Sequence, residues 1–192
     1  MKSIAISGSR RGDVGTKQAK ELRKEGNVPC VLYGGSEQIH FYAPDAAFKN
    51  LVYTPDAHTV DLTIEGATHQ AIMKEIQFHP VSDKILHIDF LALSADKAVV
   101  MEIPVKLTGN SVGVRAGGKL VKKLRKLAVR ALPKNLPDVI EIAIDTLEIG
   151  KDIRVRDLKI EGVQILDAAN NVVTAVETTR QAIQAEAAAA KK

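Results

Sequence analysis

The chain has 192 residues and a net charge of +4, with 45% hydrophobic and 26% charged residues. This composition is typical of a folded globular protein, of one large domain or two small ones, and excludes collagen-like, coiled-coil or wholly disordered chains. The sequence contains no stretch of about 18 apolar residues, so it predicts no membrane-spanning helix. The N-terminus also lacks the apolar centre of a secretory signal. The single cysteine, Cys30, allows no internal disulfide. We therefore expect a cytoplasmic protein.

Charge is unevenly distributed along the chain. Residues 1–24 carry seven basic and two acidic side chains, whereas residues 25–94 carry three basic and nine acidic ones. A second basic run, KLVKKLRKLAVR at 119–130, has six basic side chains and no acidic one. Segregated positive charge favours a polyanion partner, usually nucleic acid. A solvated surface kept for solubility is the alternative for either segment.

The first half of the chain predicts a small β barrel or sandwich, because short alternating stretches are separated by turn residues. In chain order the predicted strands are KSIAISG, VPCVLYGG, QIHFY, TVDLTIEG, HQAIMKEIQF and KILHIDFLAL. Alternation in TVDLTIEG predicts that Val60, Leu62 and Ile64 face inward. Two short helices interrupt the strands, one opened at Thr16 and the other capped by Asp45.

The second half is also strand-like, and its charge changes sign near Ser94, where we place a domain boundary. The predicted domains are residues 1–94 and 95–178, followed by an Ala-rich tail, 179–192, that we expect to be a frayed helix or disordered. Predicted strands are VVMEIPVKLTG, DVIEIAIDTLEIG, IRVRDLKIEGVQIL and NVVTAVET. Pro104 predicts an edge strand, since proline cannot donate to a strand ladder.

The basic run 119–130 allows two interpretations. Its apolar residues have the spacing of a basic amphipathic helix, which would suit an anionic membrane surface or an acidic protein partner. From Leu127 onward, however, Leu127 and Val129 alternate with Ala128 and Arg130. This alternation favours an extended segment of a second β domain, and the helical period is then incidental.

The pattern most like an active site is His79 together with His87 and Asp89. His87 and Asp89 share a face because they lie two apart on a strand. They could be half of a general-base arrangement in a hydrolase. No serine elbow or glycine-rich phosphate loop accompanies them, and no ligand spacing predicts a metal. We therefore predict no catalytic residue, cofactor or metal. A surface cross-strand pair, or recognition of RNA bases together with Tyr33, remains open.

Several motifs in fixed order resemble the bacterial large-subunit ribosomal protein twenty-five family. They are Arg11, Gly15, LRKEG at 22–26, VLYGG at 31–35, HP at 79–80 and HIDF at 87–90. The second half resembles that of the family's long members, called general stress protein CTC. The resemblance implies a six-stranded barrel with short helices that binds loop E of 5S ribosomal RNA, plus a second β-rich domain at the periphery of the central protuberance.

The resemblance also implies which residues contact RNA. Carried over position by position, they are Arg11, Lys17, Lys20, Arg23, Tyr33, Gly34, Lys74, His87 and Asp89. Glu21 departs from the family, many of whose members have arginine there, and Lys17 and Lys20 could compensate. The expected partners are 5S ribosomal RNA and neighbouring large-subunit proteins and ribosomal RNA, with no membrane. We expect a ribosome-associated protein that is a monomer when free.

Overall fold

The computed structural model describes residues 1–12, 14–35 and 37–179. Contacts divide the chain into two compact units. One contains Met1–Val99 with Leu132–Asp138, and the other contains Val100–Ala131 with the residues from Val139 onward. The predicted Ala-rich tail lies, apart from Thr179, outside the described residues. Within the described ranges, no helix combines the length and the apolar character needed to cross a membrane.

Six strands of the first unit close into a barrel with the order β1-β3-β2-β6-β5-β4. They are β1 (Ser3–Arg10), β2 (Asn27–Tyr33), β3 (Ile39–Pro44), β4 (Thr59–Ile64), β5 (Ala67–Phe78) and β6 (Ile85–Ala92). β1 runs parallel to β4, and β2 runs parallel to β6, whereas the other pairs are antiparallel. Closure leaves the barrel without an unpaired edge. The predicted mainly β fold with a six-stranded barrel is confirmed.

Alternating apolar side chains fill the barrel. Val60, Leu62 and Ile64 are buried, as the alternation predicts. Phe90 lies at the centre, with its ring centroid 5.8 Å from that of Phe41 and 6.2 Å from that of Phe48. Each fully buried ring contributes about 2 kcal/mol of transfer free energy. This core fixes which residues of each strand point outward.

Two short helices belong to the first unit. α1 (Thr16–Lys24) connects β1 to β2, and the chain leaves it through Gly26, whose φ is +81°. α2 (Lys49–Val52) follows a 3₁₀ turn that begins at Asp45. The prediction that Asp45 caps this helix is wrong, because Asp45 is already the first residue of the turn and no side chain caps it.

Two sheets form the second unit, with strand orders β10-β7-β9-β12 and β11-β13-β8. Their strands are β7 (Val99–Thr108), β8 (Lys119–Lys122), β9 (Lys126–Ala131), β10 (Ile140–Ala143), β11 (Asp152–Arg154), β12 (Val163–Ile165) and β13 (Val172–Glu177), with a short helix α3 (Val112–Arg115) between β7 and β8. The prediction that Pro104 marks an edge strand is wrong, since β7 has neighbours on both sides. Proline is tolerated because β10 pairs only with Val105–Thr108, so Pro104 lies beyond that ladder.

The basic run 119–130 is extended and not helical. It forms β8, a turn and β9, in which Leu127 and Val129 are buried while Arg130 is exposed. The extended interpretation is therefore confirmed. An anionic membrane or acidic partner would have required an exposed amphipathic helix, and these described residues do not form one.

Candidate nucleic-acid interface

A row of polar side chains crosses the outer surface of β2, β6 and β5. Asp89 on β6 lies opposite Val31 of β2 and Glu75 of β5. Because Ile88 and Phe90 are fully buried in the barrel core, alternation turns His87 and Asp89 outward. The predicted sharing of one face by these two residues is confirmed.

The imidazole of His87 is oriented by the carboxylate of Asp89. Nδ1 of His87 lies 2.6 Å from Oδ1 of Asp89, and both side chains are about one quarter exposed, at 26% and 29%. The Nδ1–H group donates a hydrogen bond to the carboxylate, which leaves Nε2 for another partner, as an acceptor in the neutral ring and a donor in the charged ring. The pair thus presents one fixed imidazole nitrogen and one carboxylate oxygen to a ligand.

Tyr33 ends β2 beside this pair. Its register partner is Leu91, two residues beyond Asp89 on β6. Burial raises the pKa of the Tyr33 hydroxyl, and the carboxylates of Asp89 and Glu75 raise it further. The hydroxyl therefore keeps its proton at neutral pH, so it can donate as well as accept a hydrogen bond, and the ring offers a stacking surface.

Gly34, the next residue, must be glycine for a reason internal to the protein. Its φ is +90°, and a Cβ atom built on it would lie 2.5 Å from Cδ1 of Leu91. A side chain would be strained by the backbone conformation, and it would also displace the end of the Leu91 side chain. The preference for glycine here follows from the turn itself, whether or not Gly34 contacts RNA.

Arg11 enters the same part of the surface from the end of β1. Its N–H donates to the carbonyl oxygen of His40 at 2.8 Å, and His40 lies opposite Val31. Its guanidinium atoms Nε and Nη2 are buried and have no hydrogen-bond partner among the described residues. An unsatisfied buried polar group costs about 1–3 kcal/mol, and more when it is charged. This arrangement suits a bound anion that accepts from both nitrogens.

Arg23, one of the residues predicted to contact RNA, links helix α1 to β6. Nε of Arg23 donates to the carbonyl oxygen of Leu86 at 2.9 Å, directly before His87. Arg23 is therefore also structural, since it fixes α1 against the barrel. Lys20 is exposed one turn earlier, and Lys17 lies in the first turn, about 9 Å along the helix axis from Arg23.

The structure brings most of the predicted contacts together, but not all. Tyr33, Gly34, His87 and Asp89 are contiguous on β2, β6 and the turn after β2. Lys74 is exposed on β5, at the register shift between Met73 and Glu75 that disturbs pairing with β6. Lys17 is the outlier, at the end of α1 remote from β6. We call Arg11, Tyr33, His87 and Asp89 the recognition face.

Two polar residues of β5 beside this pair were not predicted from the sequence. Glu75 lies opposite Asp89, and Gln77 lies opposite His87. Their position depends on which strands pair and in which register, and a single sequence does not contain that information. The alternation of polar and apolar residues in EIQF at 75–78 only weakly indicates these positions, because the register shift at Lys74 changes which residues of β5 face outward.

Cys30 is buried and unreactive, and the described residues contain no group of potential metal ligands. The Cys30 thiol is fully buried, and burial raises its pKa far above the usual value. Its interpretation as a small hydrophobic residue is confirmed, because only a thiolate is an effective nucleophile. Within residues 1–12, 14–35 and 37–179, no three His, Cys, Asp or Glu side chains are grouped as metal ligands would be.

Comparison with known proteins identifies the family of this chain. Residues 6–90 match the Ribosomal L25p family, and residues 98–180 match the family of the ribosomal protein TL5 C-terminal domain. Three relatives carry the name large ribosomal subunit protein bL25. That of Porphyromonas gingivalis is 48% identical over 95% of this chain and 96% of its own length. Those of Amoebophilus asiaticus and Cytophaga hutchinsonii are 49% and 47% identical over 100% of this chain and 97% and 100% of theirs. The chain therefore belongs to the Ribosomal L25p family of bacterial large-subunit ribosomal proteins, in the long form with a TL5-type C-terminal domain.

Proposed function

We propose that this protein binds 5S ribosomal RNA through the recognition face of its barrel. The family is one of structural ribosomal proteins, so the chain is a non-enzymatic component of the large subunit, and the His87–Asp89 pair is not a hydrolase site. The observation that carries the proposal is Arg11, whose two buried guanidinium nitrogens lack a partner within the part of the chain that the structure describes. Phosphate oxygens of RNA are acceptors of the right charge and geometry for them.

The proposed mechanism is docking of a rigid polar surface onto an irregular RNA helix. Arg11 and the cations of α1 neutralise backbone phosphates, which supplies salt-dependent affinity. His87 and Asp89 are held by each other at 2.6 Å, so little side-chain freedom is lost when they contact base edges or riboses. A carboxylate near phosphates is repelled unless it accepts from a donor, and base amino groups are such donors. Asp89 is therefore proposed to contribute to selectivity.

The proposal assigns different tasks to the two halves of the chain. Residues 1–94 carry the 5S RNA contacts, including Lys17, Lys20, Arg23, Gly34 and Lys74. Residues 95–178, the predicted second β domain, are proposed to contact neighbouring ribosomal components at the periphery. The free chain is proposed to be a monomer. Sedimentation of the free protein tests the last point.

A competition assay with full-length variants tests the role of the pair. We expect His87→Ala and Asp89→Ala to reduce the preference for 5S RNA over an unrelated RNA duplex. Asp61→Ala is the matched control, because Asp61 lies on β4, two strands from β6 in the barrel order, and its register partner on β5 is Gln70. Wild-type preference in both variants would show that the pair does not read the RNA.

A further inference from the structure

A cleft of about 550 Å³ lies between the C-terminal turn of α1 and the turn that joins β5 to β6. Four basic side chains line it: Lys20, Arg23 and Lys24 from α1, and Lys84 from the β5–β6 turn. Only Lys20 and Arg23 are among the RNA contacts implied by the family resemblance. Asp45 is the one acidic residue among the described residues that line the cleft.

The cleft adjoins the recognition face through β6. Ile85 and Leu86 form part of its lining, and His87 follows them directly on the strand. Arg23 donates from the helix side to the Leu86 carbonyl, so it joins the two walls of the cleft at this point. A strand of RNA that leaves the recognition face near His87 would therefore meet the cleft next.

Backbone hydrogen bonds hold the turn that carries Lys84 in place. The N–H of His79 donates to the Lys84 carbonyl at 2.8 Å, and the N–H of Asp83 donates to the His79 carbonyl at 3.0 Å. Nδ1 of His79 accepts from the N–H groups of Val81 and Ser82 at 3.3 and 3.2 Å. His79 thus acts as an internal brace of the turn. Because the turn is fixed, Lys84 faces the α1 lysines without an ordering cost for the backbone on binding.

We propose that this cleft is a second RNA contact, which holds backbone phosphates of the strand adjoining the one read by the recognition face. The inference rests on the proposed function, and it adds Lys24 and Lys84 to the interface. Four basic side chains against one carboxylate favour a polyanion, and the apolar parts of the lining suit a ribose. The contact is independent of sequence, since phosphates carry no base identity.

The test removes charge from the cleft without touching the recognition face. In the full-length Lys24→Gln/Lys84→Gln variant, we expect the Kd for a 5S ribosomal RNA transcript to rise about tenfold and the slope of log Kd against log salt to fall by about 2. The matched control is Lys2→Gln/Lys97→Gln. Lys2 precedes β1 on the opposite side of the barrel, and Lys97 follows the end of β6 remote from the cleft. Both test lysines are exposed, so the variant should fold as the wild type does.

A third variant should change the Kd in the opposite direction. Asp45→Asn removes the carboxylate from the cleft, and we expect the Kd to fall about threefold because one repulsion of phosphate is lost. Equal changes in Kd in the Lys24/Lys84 and Lys2/Lys97 variants, or no change in the former, would contradict the proposed RNA contact in the cleft. Neither result would bear on the proposal for the recognition face. Failure of the wild-type protein to bind 5S RNA would instead overturn the proposed function itself.

Discussion

In the barrel, two buried guanidinium nitrogens of Arg11 have no hydrogen-bond partner in the described ranges, whereas in the second unit three cations of the basic run 119–130 contact acceptors within the protein. Lys122 donates to the carbonyl oxygen of Val105. Lys123 lies 3.9 Å from a carboxylate oxygen of Glu177, and Lys126 lies 3.8 Å from one of Glu102. These last two pairs are more than half exposed and add little stability. They do offset the charge of the run locally.

If RNA binds to the recognition face as proposed, a count of cations along the sequence does not locate the interface. The run 119–130 is the densest basic segment of the sequence, yet three of its six cations have acceptors within the protein. Arg11 is a single residue, but its buried nitrogens lack a partner among residues 1–12, 14–35 and 37–179, and a phosphate would relieve the free-energy cost. Under the proposed function, the partners of a cation indicate the interface better than local charge density does.

The largest effect is expected at Arg11. Arg11→Ala should weaken 5S RNA binding about 10- to 100-fold, since hydrogen bonds to charged groups contribute about 1.5–3 kcal/mol. The free energy of unfolding should not fall, because the substitution removes buried unsatisfied nitrogens. Titration of the RNA and chemical denaturation measure the two quantities. Arg10→Ala is the matched control, since Arg10 is adjacent and exposed. A loss of stability together with retained affinity would contradict the role assigned to Arg11.

Two lysine substitutions separate binding from stability. Lys20→Ala should raise the Kd for 5S RNA about threefold, as expected for one lost phosphate contact, and leave stability unchanged. Lys122→Ala should lower the free energy of unfolding by about 1 kcal/mol, because its bond to Val105 is lost, and leave the Kd unchanged. If Lys122→Ala weakened RNA binding as much as Lys20→Ala, the contrast between the two units would fail.

A gain of affinity is expected at Glu21, which is exposed on α1 between Lys20 and Arg23. Replacing it with arginine removes one negative charge and adds one positive charge beside the proposed phosphate contacts. Glu21→Arg should lower the Kd about threefold and steepen its salt dependence. Glu141→Arg, on β10 of the second unit, makes the same charge change and should have little effect. Equal gains in the two variants would indicate attraction by net charge alone.

The smallest effect concerns the titration of Tyr33. Its pKa is raised by burial and by the carboxylates of Asp89 and Glu75. Asp89→Asn removes one of the two negative charges, so the phenolate becomes less unfavourable and the pKa should fall toward its ordinary value. NMR titration of the tyrosine ring signals measures this shift, and Asp61→Asn is the control. An unchanged pKa would place Asp89 too far from Tyr33 for the geometry described.

The sequence predicted the strands of the barrel well because its apolar residues alternate and turn residues separate them. The positions of His87 and Asp89 on one face also followed from alternation alone. Three features required the structure: the pairing of Glu75 with Asp89, the buried state of Arg11, and the cleft between α1 and the β5–β6 turn. Each depends on contacts between residues distant in sequence. Pro104 was misjudged for the same reason, since the length of the β10 ladder is not a local property.

The most direct test of the central claim compares two full-length variants that lose the same number of charges, three each, from the two basic segments. The measurement is the Kd for 5S ribosomal RNA and its salt dependence. We predict that affinity falls about 100-fold in the first variant, which is altered in the N-terminal segment, and less than about threefold in the second, which is altered in the run 119–130. Equal losses, or a larger loss for the second variant, would contradict the claim that the barrel carries the RNA contacts. The substitutions are Arg11→Gln, Lys17→Gln and Lys20→Gln in the first variant, and Lys119→Gln, Arg125→Gln and Arg130→Gln in the second.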